Sequence, residues 1–442
     1  MLWFTGAEVA KIASSRRSRS GGVSMAVSNT RRVVAAGAIG NVLEWYDFAV
    51  YGYFATAIGR AFFPQEDSVA QVLAAFGIFA VGFLMRPVGG AVIGSIGDKF
   101  GRRTALTVSV AAMAIPTFLV GILPDYQVLG IAAPIILTLL RMVQGLSVGG
   151  EYTTSIIFII EQAPPNRRAL VGAMGCCGAV GGILLGSATG ALLASVMSEQ
   201  ALESWGWRIP FILGLVVGLA GVVLRRHVNE TPKSARKESS PLLETVRNHG
   251  PLLARLAALS VFNSVGFYLM FVYIVSWLQF ADGIAPARAL EINSFSMIVL
   301  LPVMILMSWL SDRYGRRPIM LAAAALGFVG ALPFFWLMHQ PAPEIILLGQ
   351  LGFVLSVGTF IGAQPALMVE AVPAEIRCTA IALGYNVTLG IVGGLSPLAA
   401  TWLVHRTANN YSPAFMIMAA AAISFVAILK FGETYRVKLE PA

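Results

Sequence analysis

The chain has 442 residues, of which 57% are hydrophobic and only 12% carry a charge. Soluble domains carry roughly 25% charged residues, so this composition excludes a chain of soluble globular domains and favours one surrounded by lipid. The net charge of +9 could indicate a nucleic-acid partner, but the basic residues form short clusters between apolar stretches. That distribution is typical of the charges that set membrane topology and argues against nucleic acid.

Stretches of about 20 mainly apolar residues predict transmembrane helices, and they recur along the whole chain. In the first half they lie near 33–60, 69–96, 104–123, 128–161, 169–198 and 207–226. In the second half they lie near 255–281, 289–310, 318–338, 344–370, 378–404 and 412–430. We therefore expect an all-α membrane protein of twelve transmembrane helices, in two six-helix bundles at 33–226 and 255–430.

The segments outside these bundles are expected to lie in the cytoplasm. They comprise an N-terminal tail at 1–32, a linker at 227–254 and a short C-terminal tail at 431–442. Because Met25 opens a stretch that leads directly into the first span, residues 1–24 are either a disordered tail or a misassigned start. We expect no function for those residues.

The positions of Lys and Arg predict which side of the membrane each segment faces. If both termini are cytoplasmic, 25 of the 31 Lys and Arg residues lie on the cytoplasmic side. Only four then lie in outer loops, and two fall within spans. Because Lys and Arg are enriched in cytoplasmic loops, this bias predicts that both termini are cytoplasmic.

Two motifs occur in both halves of the chain at nearly the same offset. The run GDKFGRR at 97–103 follows the second span, and SDRYGRR at 311–317 follows the eighth. The other motif is an acidic residue, a proline and an arginine in fixed spacing, at Glu161, Pro164 and Arg168 and at Glu370, Pro373 and Arg377. The chain is therefore interpreted as a duplicated six-helix unit, a pattern of secondary transporters.

These motifs resemble the signature loops of the major facilitator superfamily. Within it, the chain is similar to the metabolite:proton symporter family, on the runs GNVLEWYDF at 40–48, RMVQG at 141–145, GGEY at 149–152 and WGWRIP at 205–210. Members of that family carry proline and betaine, or carboxylates such as citrate, together with protons. The last two runs are most similar to those of the proline and betaine transporters.

Charged side chains within the spans are the leading candidates for coupling residues, because an ionisable group in hydrocarbon costs about 2.5–3.5 kcal/mol. Of the 22 acidic residues, only Glu44, Asp47 and Glu151 fall deep within spans. Glu44 and Asp47 are three residues apart and share a helix face. Since the four histidines lie in loops or at span ends, these three carboxylates are the predicted proton-coupling residues.

Arg141 is the one basic residue predicted to lie deep in a span. Burial disfavours a charged carboxylate and a nearby guanidinium favours it, so movement of Arg141 could couple protonation to conformation. Alternatively, Arg141 could bind a substrate carboxylate with two hydrogen bonds. A third interpretation is a fixed ion pair with Glu44 or Asp47 that only holds helices together.

Polar and aromatic side chains within the spans are the candidate substrate ligands. In the first half they are Arg141, Trp45, Tyr46, Tyr51, Gln144 and Tyr152. In the second half they are the neutral residues Asn263, Tyr268, Gln364, Tyr385 and Asn386. Aromatic residues could contact a quaternary ammonium group, but they could equally be packing residues, and the amides could bond across helices.

The repeated charged motifs supply the candidate gating residues, which the resemblance implies form a cytoplasmic latch in the outward-open state. They are Arg86, Asp98, Arg102, Arg103, Glu161, Arg168, Asp312, Arg316, Arg317, Glu370 and Arg377. The alternative is that the basic residues only anchor the loops on the cytoplasmic side. Each signature loop also contains an aspartate that anchoring does not need, which favours a latch.

Small residues in the fifth span predict close helix packing. Gly178, Gly182, Gly186 and Gly190 are four residues apart and form one stripe, which would let a neighbouring helix approach closely. The three cysteines offer no disulfide framework and are expected to be small packing residues.

The sequence favours a proton-coupled symporter that imports a small polar metabolite across the inner membrane. The substrate is expected to be a compatible solute such as proline or betaine, or an organic carboxylate. The alternative is an exporter or antiporter of the same fold. We expect no enzymatic activity, metal or cofactor apart from the proton as coupling ion, and a protein that functions as a monomer in contact with lipid.

Overall fold

The computed structural model describes residues 42, 44–63, 68–89, 92–93, 96, 102–147, 151–225, 241–435 and 437–439. Within these residues the chain is mainly helical and contains no strand. The predicted tail at 1–32 and residues 227–240 of the predicted linker lie outside the described residues.

The described helices follow the predicted spans along the chain. In the first half they are α1 (44–53), α2 (Ala55–Phe62), α3 (Ser68–Leu84), α4 (Arg102–Ile122), α5 (Tyr126–Leu129), α6 (Ala132–Ser147), α7 (Glu151–Gln162), α8 (Arg168–Val196), α9 (Glu199–Ala201) and α10 (Arg208–Arg225). In the second half they are α11 (Pro241–Tyr268), α12 (Ile274–Asp282), α13 (Pro286–Tyr314), α14 (Arg316–Met338), α15 (Pro343–Ala371), α16 (Arg377–Val387), α17 (Gly394–Thr407) and α18 (Ser412–Leu429).

Eight helical segments among the described residues are long and apolar enough to cross a membrane. They are Ser68–Gly89, Arg168–Val196, Arg247–Asp282, Pro286–Tyr314, Arg316–Met338, Pro343–Ala371, Ala374–Thr407 and Ser412–Leu429. Shorter apolar helices occupy Thr107–Ile122, Ala132–Ser147 and Gly206–Val216. The structure therefore establishes an all-helical protein with membrane-spanning segments, whereas the number twelve stays a prediction.

The start of one helix differs from the sequence prediction. Helix α11 begins at Pro241, inside the segment predicted as a linker, and bends at His249, whose φ of −123° and ψ of 23° are not helical. Proline is favoured in the first turn of a helix, whereas Pro251 inside it explains the bend. Because residues 227–254 are polar, the sequence did not indicate that a helix begins there, ahead of the apolar span.

Short π-helical turns interrupt the seventh and eleventh predicted spans. One covers Leu269–Tyr273 between α11 and α12, and the other covers Thr388–Gly393 between α16 and α17. A π turn uses i→i+5 instead of i→i+4 backbone hydrogen bonds and often marks a functional site. The first turn accepts a hydrogen bond from Tyr53 of the first half at the Phe271 carbonyl, and the second packs against α3, so both lie where the two halves meet.

The two halves meet along a few helix pairs. Helix α8 of the first half packs along α13 and α15 of the second half, and α3 packs along α17. Helix α7 contacts α15 and α16. Many of the functional residues described below lie on these same helices or on α1, against which α8 packs.

Two glycines of the α8 stripe, Gly182 and Gly186, lie against the first span, and the spacing predicted such a close approach of a neighbouring helix. A Cβ atom on Gly182 would overlap the backbone carbonyl oxygen of Val42, and one on Gly186 would contact Val50 and Ala49. A Cβ on Gly181, the preceding residue, would meet nothing within 4 Å. The absence of a side chain at Gly182 is therefore what permits the close approach of α1.

This contrast gives a matched test of the packing of α8. Gly182→Ala is expected to destabilise the protein by roughly 1–3 kcal/mol, because the added methyl group meets rigid backbone. Gly181→Ala should cause no loss, since alanine favours a helix over glycine. Thermal unfolding of the two variants in detergent measures the difference. Equal melting temperatures would contradict the proposed close contact.

Candidate functional site

A buried ion pair lies in the middle of the first bundle. Arg141 on α6 donates from Nη1 to Oδ2 of Asp47 on α1 at 2.5 Å, and both side chains are 0% exposed. Thr117 on α4 and Gln144 on α6 each donate to Oδ1 of Asp47 at 2.8 Å. Arg141 and Gln144 lie three residues apart on one helix face, which allows both to reach the same carboxylate. Asp47 thus accepts three hydrogen bonds from two neighbouring helices.

The Arg141 guanidinium is held between rings but is only partly hydrogen-bonded. Its Cζ lies 4.2 Å from the ring centre of Tyr51 and 4.9 Å from that of Phe48. Its Nη1 also donates to Gln144 at 2.8 Å, whereas Nε and Nη2 are buried without an acceptor among the described residues. Tyr51 donates its own hydroxyl to the Ala75 carbonyl at 3.1 Å. Arg141 therefore keeps donor capacity for a further anionic partner.

Glu44 has a different partner from Asp47, although both lie on α1. Arg86 donates to Glu44 at 3.1 Å, and both side chains are buried. The Arg86 guanidinium lies 4.2 Å from the Phe83 ring centre and 5.6 Å from that of Trp45. Arg86 was predicted to be a gating residue, but the structure places it beside a candidate coupling residue. The first bundle therefore contains two separate buried acid–arginine pairs.

Candidate substrate residues from both halves line a small cavity where the bundles meet. Asn263, Gln364 and Tyr385 line a space of about 20 Å³ together with Cys176 of α8. An adjoining cavity of similar size shares Cys176, Asn263 and Tyr385 and is also lined by Trp45. We call these two adjoining spaces together the interface cavity. A space of 20 Å³ holds about one water molecule. The bundles must therefore separate before an organic solute can enter.

Aromatic and amide groups surround these cavities. Tyr268 stacks on Trp45 with ring centres 6.3 Å apart, and its buried hydroxyl has no hydrogen-bond partner among the described groups. Gln364 donates to the Ser260 hydroxyl at 3.0 Å. The sequence therefore selected residues that do converge on the interface: one aromatic residue of α1 and several neutral residues of the second half.

The remaining candidate ligands lie elsewhere or cannot be placed. Tyr46 donates its hydroxyl to the Pro210 carbonyl at 2.8 Å, which is a contact within the first bundle. Asn386 is half-buried and lines neither of the two interface cavities. The side chains of Glu151 and Tyr152 lie outside the described residues.

An ionic cluster joins the two halves at the end of the molecule predicted to face the cytoplasm. Glu370 at the end of α15 accepts from Arg316 at 3.0 and 3.1 Å and from Arg168 of the first half at 3.5 Å. Arg377 on α16 pairs with Glu161 on α7, which is again a contact between halves. Residues of the repeated acid–proline–arginine motif thus meet each other across the interface.

Asp312 adds a different kind of contact to this cluster. Besides pairing with Arg316 at 2.6 Å, it accepts from the backbone N–H groups of Ala169 and Leu170 at 3.0 and 2.9 Å. These amides belong to the first turn of α8, where the helix dipole favours a negative charge. Asp312 of one half therefore caps a helix of the other half, which explains why an aspartate occurs in a basic loop.

One further predicted gating residue bonds within its own half, and three others have side chains that the structure does not describe. Arg317 donates to the Leu429 carbonyl at 3.2 Å, within the second half. Asp98 and the side chains of Arg102 and Arg103 lie outside the described residues. A contribution that sequence reasoning missed comes from the C-terminal segment, where Glu433 accepts from the Arg316 amide at 2.8 Å.

The opposite end of the molecule is open. A cavity of about 540 Å³ lies between the halves and is lined by Arg60, Glu203, Gln279, Phe280 and His405, among others. Arg60 forms an ion pair with Glu203. We call this cavity the vestibule, and the charge distribution predicts that it faces outward.

Comparison with known proteins agrees with this architecture. Residues 37–397 and 292–442 match the Major Facilitator Superfamily. The chain belongs to this superfamily. The family resemblance inferred from the sequence motifs is confirmed, and the protein is a membrane transporter. Because the family and the named relatives are transporters, they point away from an enzyme.

Two curated relatives cover most of the chain. It is 35% identical over 427 residues to the glycine betaine/proline/ectoine/pipecolic acid transporter OusA of Dickeya dadantii strain 3937, covering 93% of this chain and 85% of the relative. It is 34% identical over 419 residues to the proline/betaine transporter of Escherichia coli K12, covering 91% and 84%. Among solved structures, a D-xylose–proton symporter aligns with a TM-score of 0.75 at 20% identity, covering 93% of this chain and all of that one. This last likeness shows the shared fold.

Proposed function

We propose that the protein is a proton-coupled symporter that imports a small zwitterionic compatible solute, of the proline or betaine kind, across the plasma membrane. The observation that carries this proposal is the buried Asp47–Arg141 pair in a transporter whose relatives are named for proline and betaine. We further propose twelve transmembrane helices, cytoplasmic termini, a monomer, and no cofactor apart from the proton.

Asp47 is the proposed proton carrier. In the described arrangement its carboxylate is the acceptor for Arg141, Gln144 and Thr117. A protonated Asp47 could no longer neutralise the guanidinium, so protonation would weaken this pair. Arg141 would then have a positive charge without an anion in a dry environment, which is unfavourable. Binding of a proton to Asp47 would thus favour binding of another anion to Arg141.

Arg141 is the proposed ligand for the solute carboxylate. The guanidinium can bind a carboxylate with two parallel hydrogen bonds, and its Nε and Nη2 have no acceptor among the described residues. In this scheme the solute carboxylate replaces the charge that protonated Asp47 has lost. One proton and one monocarboxylate then enter together, and neither binds well without the other. A single deep arginine also fits a monocarboxylate better than a tricarboxylate.

Trp45 and Tyr385 are the proposed contacts for the cationic end of the solute. Both line the interface cavity, and a quaternary ammonium group is attracted to aromatic faces. Trp45→Leu is therefore expected to weaken betaine binding by roughly threefold to thirtyfold, corresponding to about 0.7–2 kcal/mol. A thermal-shift titration with betaine and with 3,3-dimethylbutyrate checks this, because the latter is a monocarboxylate of the same shape that has no cationic group. Equal weakening of both would contradict a cation–π contact.

Alternating access is the proposed transport mechanism. The ionic cluster of Glu161, Arg168, Asp312, Glu370 and Arg377 closes one end, while the vestibule opens the other. This arrangement corresponds to a state closed to the cytoplasm. Opening that end requires the ion pairs between halves to separate, and the two π-helical turns offer points at which the helices can bend.

Uptake into proteoliposomes with an imposed pH gradient tests the proposed function. Labelled proline or betaine should accumulate when the outside is acidic, and a protonophore should abolish accumulation. Uptake that a protonophore leaves unchanged would contradict proton coupling. Accumulation only when the inside is acidic would instead support the alternative function, an antiporter or exporter of the same fold.

A further inference from the structure

A second polar cluster, made of neutral residues, joins the two halves between the vestibule and the interface cavity. Tyr53 of α1 donates to the Phe271 carbonyl at 2.8 Å. Asn293 of α13 donates to the Tyr53 hydroxyl at 3.0 Å and to Ser187 of α8 at 3.2 Å. Gln350 of α15 donates to the side-chain amide oxygen of Asn293 at 3.0 Å, within the second half. Tyr53 and Ser187 of the first half are thus bonded to Phe271 and Asn293 of the second, and Gln350 supports Asn293 from its own half.

The position of this cluster places it on the path into the protein. Its four side chains are buried, with Ser187, Asn293 and Gln350 at 0% exposure. Tyr53 lines a small cavity that shares Glu203 and Gln279 with the vestibule, so the cluster lies at the vestibule floor. A solute that moves from the vestibule to the interface cavity has to pass between the two halves at this level.

The chemistry of the cluster differs from that of the opposite end. The cytoplasmic cluster consists of ion pairs, whereas Tyr53, Ser187, Asn293 and Gln350 carry no charge. A neutral hydrogen bond between protein groups can be exchanged for one with water at small net cost. Water that enters from the vestibule can therefore replace these bonds one by one. Such a contact suits a barrier that must open without a change in protonation.

We propose that Tyr53, Ser187, Asn293 and Gln350 form the outer gate of the transporter. The proposal rests on the alternating-access part of the proposed function, but not on the identity of the solute or on proton coupling. In this assignment Tyr53 and Ser187 hold α1 and α8 against Asn293 of α13 while the vestibule is separated from the interface cavity, and Gln350 of α15 holds the Asn293 amide in place. Their separation is the step that admits solute from outside.

Cys176 provides a native reporter for this gate, because it lines the interface cavity and is buried. The assay uses a Cys177→Ser, Cys378→Ser background, in which a membrane-impermeant methanethiosulfonate is added outside right-side-out vesicles. Asn293→Ala and Tyr53→Phe are each expected to raise the labelling rate of Cys176 roughly fivefold, the shift expected when about one net hydrogen bond is lost. No solute is needed, so failure of proton coupling would leave this result unchanged.

A matched pair of serine variants separates gating from general loosening. Ser187 bridges the two halves, whereas Ser356 is equally buried and donates to the Ala323 carbonyl within the second half at 2.9 Å. Ser187→Ala should increase labelling, and Ser356→Ala should not. Unchanged labelling in both Asn293→Ala and Tyr53→Phe would overturn the proposal. An equal increase in Ser356→Ala would also overturn it, since the effect would then be loss of packing.

Discussion

Replacing Asp47 with asparagine is expected to abolish solute accumulation driven by a pH gradient while solute exchange continues. Asparagine has nearly the size of aspartate and can still accept a hydrogen bond from Thr117, but it cannot change its charge. It therefore resembles the protonated state, in which the carrier can bind solute and reorient when loaded. Exchange needs only this loaded movement, whereas net accumulation also needs the proton to leave.

The size of the expected effect follows from the thermodynamics of coupling. With one proton per solute, a gradient of about one pH unit supports roughly tenfold accumulation, since one pH unit corresponds to about 1.4 kcal/mol. In Asp47→Asn this ratio should fall to about one. The measurement is the steady-state ratio of labelled solute inside and outside proteoliposomes, with counterflow exchange measured in the same preparation. Retained exchange also shows that the variant is folded.

Glu44→Gln is the matched control, because Glu44 lies one helical turn from Asp47 and is also paired with a buried arginine. We expect it to retain proton-coupled accumulation, since its partner Arg86 belongs to the other acid–arginine pair. If Glu44→Gln loses accumulation while Asp47→Asn keeps it, Glu44 is the coupling residue. If both variants accumulate solute normally, Asp47 is not the proton carrier and the proposed coupling mechanism is wrong.

The sequence identified which charged residues are buried, but it did not identify the residue with which each of them pairs. The energetic cost of charge in lipid selected Asp47, Glu44 and Arg141, and the structure places all three in the first bundle. Helix periodicity placed Glu44 and Asp47 on one face but could not show that neighbouring helices offer each a different arginine. Partner choice depends on how the helices pack, and a single sequence contains no direct record of packing.

The sequence analysis did not select the residues of the proposed outer gate, although two of them meet a criterion that it applied to other residues. Asn293 and Gln350 are amides in apolar spans, as are Asn263 and Gln364, which the same reasoning selected. Burial of an amide requires a hydrogen-bond partner. The sequence alone therefore gives no reason to prefer any one of these four residues as a functional candidate. Only the packing of α13 against α1 and α8 shows that Asn293 bonds to the opposite half, with Gln350 of α15 bonded to it.

The ion pair between Glu161 and Arg377 is expected to be essential for transport and to tolerate an exchange of its two charges. Glu161 belongs to α7 of the first half and Arg377 to α16 of the second, and the Arg377 side chain is only 3% exposed. Glu161→Arg or Arg377→Glu alone brings like charges together at a partly buried contact. Breaking such a pair costs several kcal/mol, so either variant should lower the initial uptake rate about a hundredfold.

The double variant Glu161→Arg, Arg377→Glu restores opposite charges across the same interface and should recover uptake to within about tenfold of the original. Recovery is expected to be incomplete, because Arg377 also donates to the Val372 carbonyl at 3.2 Å and a glutamate cannot replace that bond. The control is the exposed pair Arg288–Glu291 within α13, where a single reversal should change little. A structural role within one bundle would not require the two charges to be complementary across the halves. Rescue by the double variant therefore distinguishes a latch between halves from positive charge that only anchors the loops, and absence of rescue would contradict the latch.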